Sequence, residues 1–199
     1  MRQTTNKEDW QEQGAQDTAR CTCAAARALV YIVHCSLLPV IAQKSHYNLK
    51  NVACRCYDTT YCEFKQCELK MKLRGVPSFS MISKLYRRPV DNIFLNVELF
   101  RKTNGYRSFL LNQSLDFCYY MRNPKAYVFF HSFHNSFVAV SNFNHTCPYN
   151  HDIIIKGWSY KKGSMIELPM PNGDYMIYLK LSVSKVWRAE IKLYVTRTD

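Results

Sequence analysis

Glycine is scarce in this chain, six among 199 residues. Loops that cradle a phosphate, or that hold a nucleophilic serine on a sharp elbow, need several glycines close together. The sequence has no Gly-x-Ser-x-Gly elbow, no phosphate loop and no dinucleotide fingerprint. Acidic residues are also few, 15 against 27 Lys and Arg, and most alternate with Lys or Arg along strand-like stretches. Little is left for the paired carboxylates of a glycosidase. His131-x-x-His134 has the spacing of two ligands on one helical face. Ser132 and Phe133 stand between them and Asn135 follows, so the glutamate base of a zinc hydrolase is missing. No enzymatic activity, no cofactor and no metal is expected.

Long apolar runs are absent too. The longest stretch runs from Ala28 through Val30, Ile32 and Leu37 to Val40-Ile41-Ala42, with Arg27 just before it. That is the length of a signal-peptide core and short for a bilayer span. It ends in Val40-Ile41-Ala42-Gln43, with small residues where signal peptidase requires them. Cleavage after Ala42 is expected, so that 1–42 is a polar leader plus signal peptide and 43–199 a single domain.

The cysteines agree with export. Cys21, Cys23 and Cys35 fall in the leader. Cys54, Cys56, Cys62, Cys67, Cys118 and Cys147 remain, an even number in the mature chain, which predicts three disulfides in an oxidising compartment. Spacing alone leaves the pairing open. Asn112-Gln113-Ser114 and Asn144-His145-Thr146 are glycosylation sequons, consistent with a secreted, extracellular protein.

Strict alternation marks four strands. Cys67, Leu69, Met71 and Leu73 face one way, against Glu68, Lys70, Lys72 and Arg74. Ile93, Leu95, Val97 and Leu99 alternate with Phe94, Asn96, Glu98 and Phe100. Tyr175, Ile177, Leu179, Leu181 and Val183 form a third set. Trp187, Ala189, Ile191, Leu193 and Val195 form a fourth, with Arg188, Glu190, Lys192 and Tyr194 facing away. Further strands are expected near 106–112, 115–120 and 152–158. Asn104-Gly105 and Asn172-Gly173 have the chemistry of tight hairpin turns. About seven short strands predict an antiparallel sandwich or barrel. One segment differs. Asn123 and Pro124 suit an N-cap and a first helical position. Ala126, Phe130, Phe133, Phe137 and Val140 then recur at steps of three and four. A helix near 124–140 follows, with a heavy aromatic stripe.

The formal charge of +12 points to an anionic partner in principle. Here the cations lie on the outward faces of strands and in the pairs Arg87-Arg88 and Lys161-Lys162, without the aromatic interleaving of a nucleic-acid surface. Nucleic acid is not an expected partner, and membrane contact is at most peripheral.

The stretch from Asn51 to Arg197 resembles a large insect family of secreted proteins, domain of unknown function 1091. The matching pieces are Leu49-Lys50-Asn51-Val52-Ala53-Cys54, Phe64-x-x-Cys67-x-Leu69 and Leu115-Asp116-Phe117-Cys118. The Asn123-Pro124 helix start, Ser141-Asn142-Phe143-Asn144-His145-Thr146-Cys147-Pro148-Tyr149, Leu168-Pro169 and Pro171-Asn172-Gly173-Asp174-Tyr175 complete the set. That family looks like a branch of the MD-2-related, ganglioside-activator-like lipid-recognition proteins. The resemblance implies an immunoglobulin-like β-sandwich whose splayed sheets hold a lipid or other small hydrophobic molecule, in a chemosensory or lipid-handling role. It also implies that Cys56 and Cys62, additions to the family's usual cysteines, pair with each other. The cavity wall would then be drawn from Leu69, Met71, Leu95, Val97, Leu99, Phe117, Phe130, Phe133, Phe137, Ile177, Leu179, Leu181, Ile191 and Leu193, all uncharged. The alternative is a secreted module with a packed core that binds a receptor or another secreted protein through its loops.

Overall fold

The computed structural model describes residues 46–163 and 170–199. The leader, its three cysteines and Leu168-Pro169 lie outside the described residues. Among the described residues eight strands occur: β1 (His46–Cys56), β2 (Cys62–Met71), β3 (Pro77–Leu85), β4 (Ile93–Lys102), β5 (Tyr106–Asp116), β6 (Ile153–Trp158), β7 (Gly173–Val183) and β8 (Val186–Thr198). They make two antiparallel sheets, a β-sandwich. The larger has five strands in the order β1-β8-β7-β4-β5, and the smaller has three, β2-β3-β6. Two short helices, α1 (Phe117–Arg122) and α2 (Val128–Val138), lie between β5 and β6 in the chain.

The centre of the large sheet follows from simple alternation. Ile93, Leu95, Val97 and Leu99 of β4 are all buried, 6% exposed or less, and Phe94 on the opposite face is 40% exposed. β4 pairs with β7 through Leu95–Leu181, Val97–Leu179 and Leu99–Ile177, so the inward residues of the two strands stack in rows. The Asn104-Gly105 pair sits at the β4–β5 hairpin, where Thr103 N–H donates to the Gly105 carbonyl and Gly105 has a φ of +148°. Asn172-Gly173, by contrast, opens β7 and makes no hairpin.

Three expectations are corrected. Strand β2 begins at Cys62 and ends at Met71, so Leu73 leaves the core face. It lies in a 3-10 turn (Leu73–Gly75) and is 94% exposed. The segment 115–120 is not one strand. Asp116 ends β5 and caps α1 by accepting a hydrogen bond from Tyr119 N–H at 2.8 Å. The helix expected near 124–140 is shorter and starts later. Asn123 closes α1, where its backbone and side-chain N–H groups donate to the Tyr119 carbonyl. Pro124–Ala126 form a 3-10 turn, and Tyr127, non-helical at φ −132° and ψ 69°, sets the start of α2 at Val128. Ala126 and Val140 fall outside α2 and are exposed.

The disulfides join Cys54 to Cys67, Cys56 to Cys62, and Cys118 to Cys147. The first ties β1 of the large sheet to β2 of the small one. The second closes the β1–β2 turn, and the third ties α1 to the segment before β6. The Cys54–Cys67 loop is short and already contains the Cys56–Cys62 bridge, so its additional restriction of the unfolded chain is modest. Removing it with a Cys54→Ser/Cys67→Ser pair should cost about 2 kcal/mol, at the low end of the usual range. Urea denaturation of the secreted protein measures this, and a cost above about 4 kcal/mol would mean that the bridge holds the sheets by more than chain restriction.

Candidate functional site

A three-stranded sheet cannot cover a five-stranded one. α2 fills part of the difference. Its Phe130, Phe133 and Phe137 are buried at 2, 5 and 9% exposure, on the stripe expected from their spacing. Phe133 and Phe137 meet the Trp158 ring of β6 edge-on, each with 6.2 Å between centroids. The chain then continues the small sheet's edge through a Ser141–Ile155 bridge and a bond from Lys156 N–H to the Val140 carbonyl at 2.8 Å.

The two sheets and α2 do not fill the space between them. An apolar chamber of about 140 Å³ lies between β3, β4, β6, β7, β8 and α2. A smaller one of about 70 Å³ lies further along the strands, beside β1, β4, β7 and α2. The division follows the rows of the large sheet. Leu95, Leu179, Leu181, Ile191 and Leu193 line the larger chamber, with Phe130 and Phe137. Val97, Leu99 and Ile177 line the smaller. Phe133 and Trp158 belong to both and form the partition. Three other expected wall residues lie elsewhere. Leu69 packs against the core from β2, Met71 is 68% exposed at the strand's end, and Phe117 is fully buried in an aromatic cluster beside α2. Asn112 and Asn144 are both exposed.

The aromatic cluster holds α2 in place. Phe117 stacks on Phe143 at 4.4 Å, and Phe143 on Tyr149 at 5.1 Å. Beside it runs a chain of hydrogen bonds with one consistent direction. His134 Nε2 lies 2.8 Å from the Phe143 carbonyl, which can only accept, so the proton is on Nε2. The neutral His134 Nδ1 then accepts from the Tyr120 hydroxyl at 2.9 Å. Tyr120 has one proton to give, so it accepts in turn from His131 Nδ1–H at 3.1 Å. His131 Nε2 accepts from the Asn135 amide at 3.1 Å. The two histidines that have metal-ligand spacing in the sequence are thus engaged in tying α1, α2 and the Phe143 loop together.

The sequence reading missed one wall residue of a different kind. β8 carries a bulge: Leu181 pairs with Ala189 but Ser182 with Trp187, so Arg188 is an extra residue. Alternation assigns Arg188 to the outer face, yet it lines the larger chamber together with its neighbour Ala189. Its guanidinium lies 4.4 Å from the centroid of the Tyr61 ring. Its Nη1 donates to Asp58 at 2.7 Å. Hydrogen bonds from the Thr60 hydroxyl and backbone N–H, with the Arg188 charge behind them, hold the Asp58 carboxyl below the usual carboxylate range against its partial desolvation.

A two-sheet β-sandwich with a divided apolar chamber between its layers is the class that fold and site define. Residues 95–177 match the family model described as "Protein of unknown function (DUF1091)", a match that supports the family named by the sequence motifs and spans β4 to β7, both helices included. No curated protein matches the chain.

Burial pushes the His134 pKa below its ordinary value of 6.5, partly opposed by the Phe143 carbonyl, which favours a protonated ring. Below pH 6.5 the unfolded chain takes up a proton that the folded ring resists. Stability therefore falls as the pH drops through this window, by at most about 1.4 kcal/mol per pH unit for this group. Thermal melts between about pH 7.5 and 5.5 should show that slope, and His134→Gln should flatten it. Equal slopes in the two proteins would assign the pH dependence to other groups.

Proposed function

We propose that the protein is a secreted, non-enzymatic carrier of a small hydrophobic molecule, a lipid in the first place, held between its sheets. The observation that carries this reading is the chamber itself. A closed core of the same residues would leave few voids larger than a water molecule. Here the open volume has room for on the order of ten waters, or as many methylene-sized groups. Each buried CH2 contributes about 0.8 kcal/mol, so a chain filling it gains about 8 kcal/mol gross. Association costs roughly 4 kcal/mol or more, which leaves weak to moderate affinity from apolar contact alone. The chamber favours a carrier over a protein-binding module with a filled core.

Secretion is supported by three disulfides and two exposed sequons. Among the described residues, no helix is long and apolar enough to cross a membrane. The lipid-handling or chemosensory setting comes from the family resemblance, and the uncharged character of most of the wall agrees with it.

Native mass spectrometry of protein secreted from eukaryotic cells, followed by denaturing extraction, tests the proposal. The expected species starts at Gln43, carries three disulfides and glycan at Asn112 or Asn144, and releases a lipid. Protein that yields no organic adduct and takes up no fluorescent fatty acid would favour the protein-binding module instead.

A further inference from the structure

Resting on the carrier reading, we propose that the molecule held in the larger chamber is an amphiphile with a single anionic head, an aliphatic carboxylate of about ten carbons, whose head seats on Arg188. Among the described residues that line this chamber, Arg188 is the one that carries a charge. A cation on the wall of an apolar space is costly unless it is paired. Asp58 takes its Nη1 only. The Arg188 Nε is buried, and among the described residues no acceptor reaches it. A guanidinium offers two edges to carboxylates, and the edge that includes Nε is the one Asp58 leaves free.

The guanidinium is held ready for this contact. Tyr61 lies under it, and Asp58 is fixed by two bonds from Thr60. Tyr61 and Cys62 N–H groups both donate to the Asp58 carbonyl at 3.0 Å, inside the turn that the Cys56–Cys62 disulfide closes. Asp58 already pairs with Arg188, so a head with two negative charges fits the site less well than a head with one. From this end the chamber runs along the strands past Leu181 and Leu179 to the Phe133–Trp158 partition, so a tail points away from Arg188 into uncharged wall.

The test compares decanoic acid with decan-1-ol, the same chain with a neutral head, by calorimetric titration of delipidated, secreted protein near neutral pH. Decanoate should bind at least about tenfold more tightly than the alcohol. Arg188→Gln should abolish that preference, so that acid and alcohol bind the variant equally, and Arg188→Lys, which keeps the charge without the fork, should retain part of it. Equal affinities for acid and alcohol in the unaltered protein would overturn the Arg188 proposal and leave the carrier reading standing; that arm requires no variant to fold. Binding of neither molecule would overturn both.

Discussion

The architecture depends on a mismatch in width. Five strands face three, and apolar residues on the uncovered rows of the large sheet must be shielded by something other than a strand. α2 supplies that shield with three phenylalanines on one stripe, set against Trp158 of the neighbouring strand. A helix has a rounder face than a strand and cannot follow the pleat of the sheet opposite. The chamber is the space left where these two shapes fail to conform. Filling and emptiness thus have one origin, and the aromatic cluster around Phe117, Phe143 and Tyr149 keeps the helix from collapsing inward.

Much of this was legible in the residues. β4 alternates cleanly because one face meets the core and the other is more open to water, and β7 and β8 keep an alternating apolar set along most of their length. α2 was legible from its phenylalanine spacing, although its start lies later than the spacing implies because Tyr127 adopts a non-helical conformation after Pro124–Ala126. β1 went unrecognised for a definite reason. A bulge between Leu49 and Asn51 shifts its register, so Tyr47 and Leu49 face inward before it and Val52, Cys54 and Cys56 after it. Its alternation therefore changes phase halfway. β3 was obscured by a serine, since Ser83 is buried in the row of Phe79, Met81 and Leu85, where an apolar residue would have marked the pattern. Arg188 illustrates the same limit at the site. No local signal distinguishes a bulged arginine from its solvent-facing neighbours, because the extra residue is defined by pairing with β7.

The basic character of the chain finds its place largely on the outside. Lys180 lies over the Trp187 ring at 4.3 Å, and Lys192 over Tyr178 at 5.2 Å, on the outer face of the large sheet. Glu190 accepts from both the Tyr57 and Tyr178 hydroxyls at 2.6 Å and fastens the β1–β2 turn to β7 and β8. Such pairs organise the surface but leave the inner face nearly free of charge, the condition under which a single inward cation has a strong effect.

The Cys54–Cys67 bridge and the Cys56–Cys62 turn lie at the same edge of the sandwich, where β1 of one sheet meets β2 of the other. The two layers are therefore bound like a book with both a spine and a clasp. The spine is the pair of bridges where β1 meets β2, and the clasp is Cys118–Cys147, which joins the helix that follows β5 to the segment before β6. α2 lies between them and meets the large sheet through non-covalent contacts alone, so it is the part of the wall that can shift without breaking a bridge or a strand pairing.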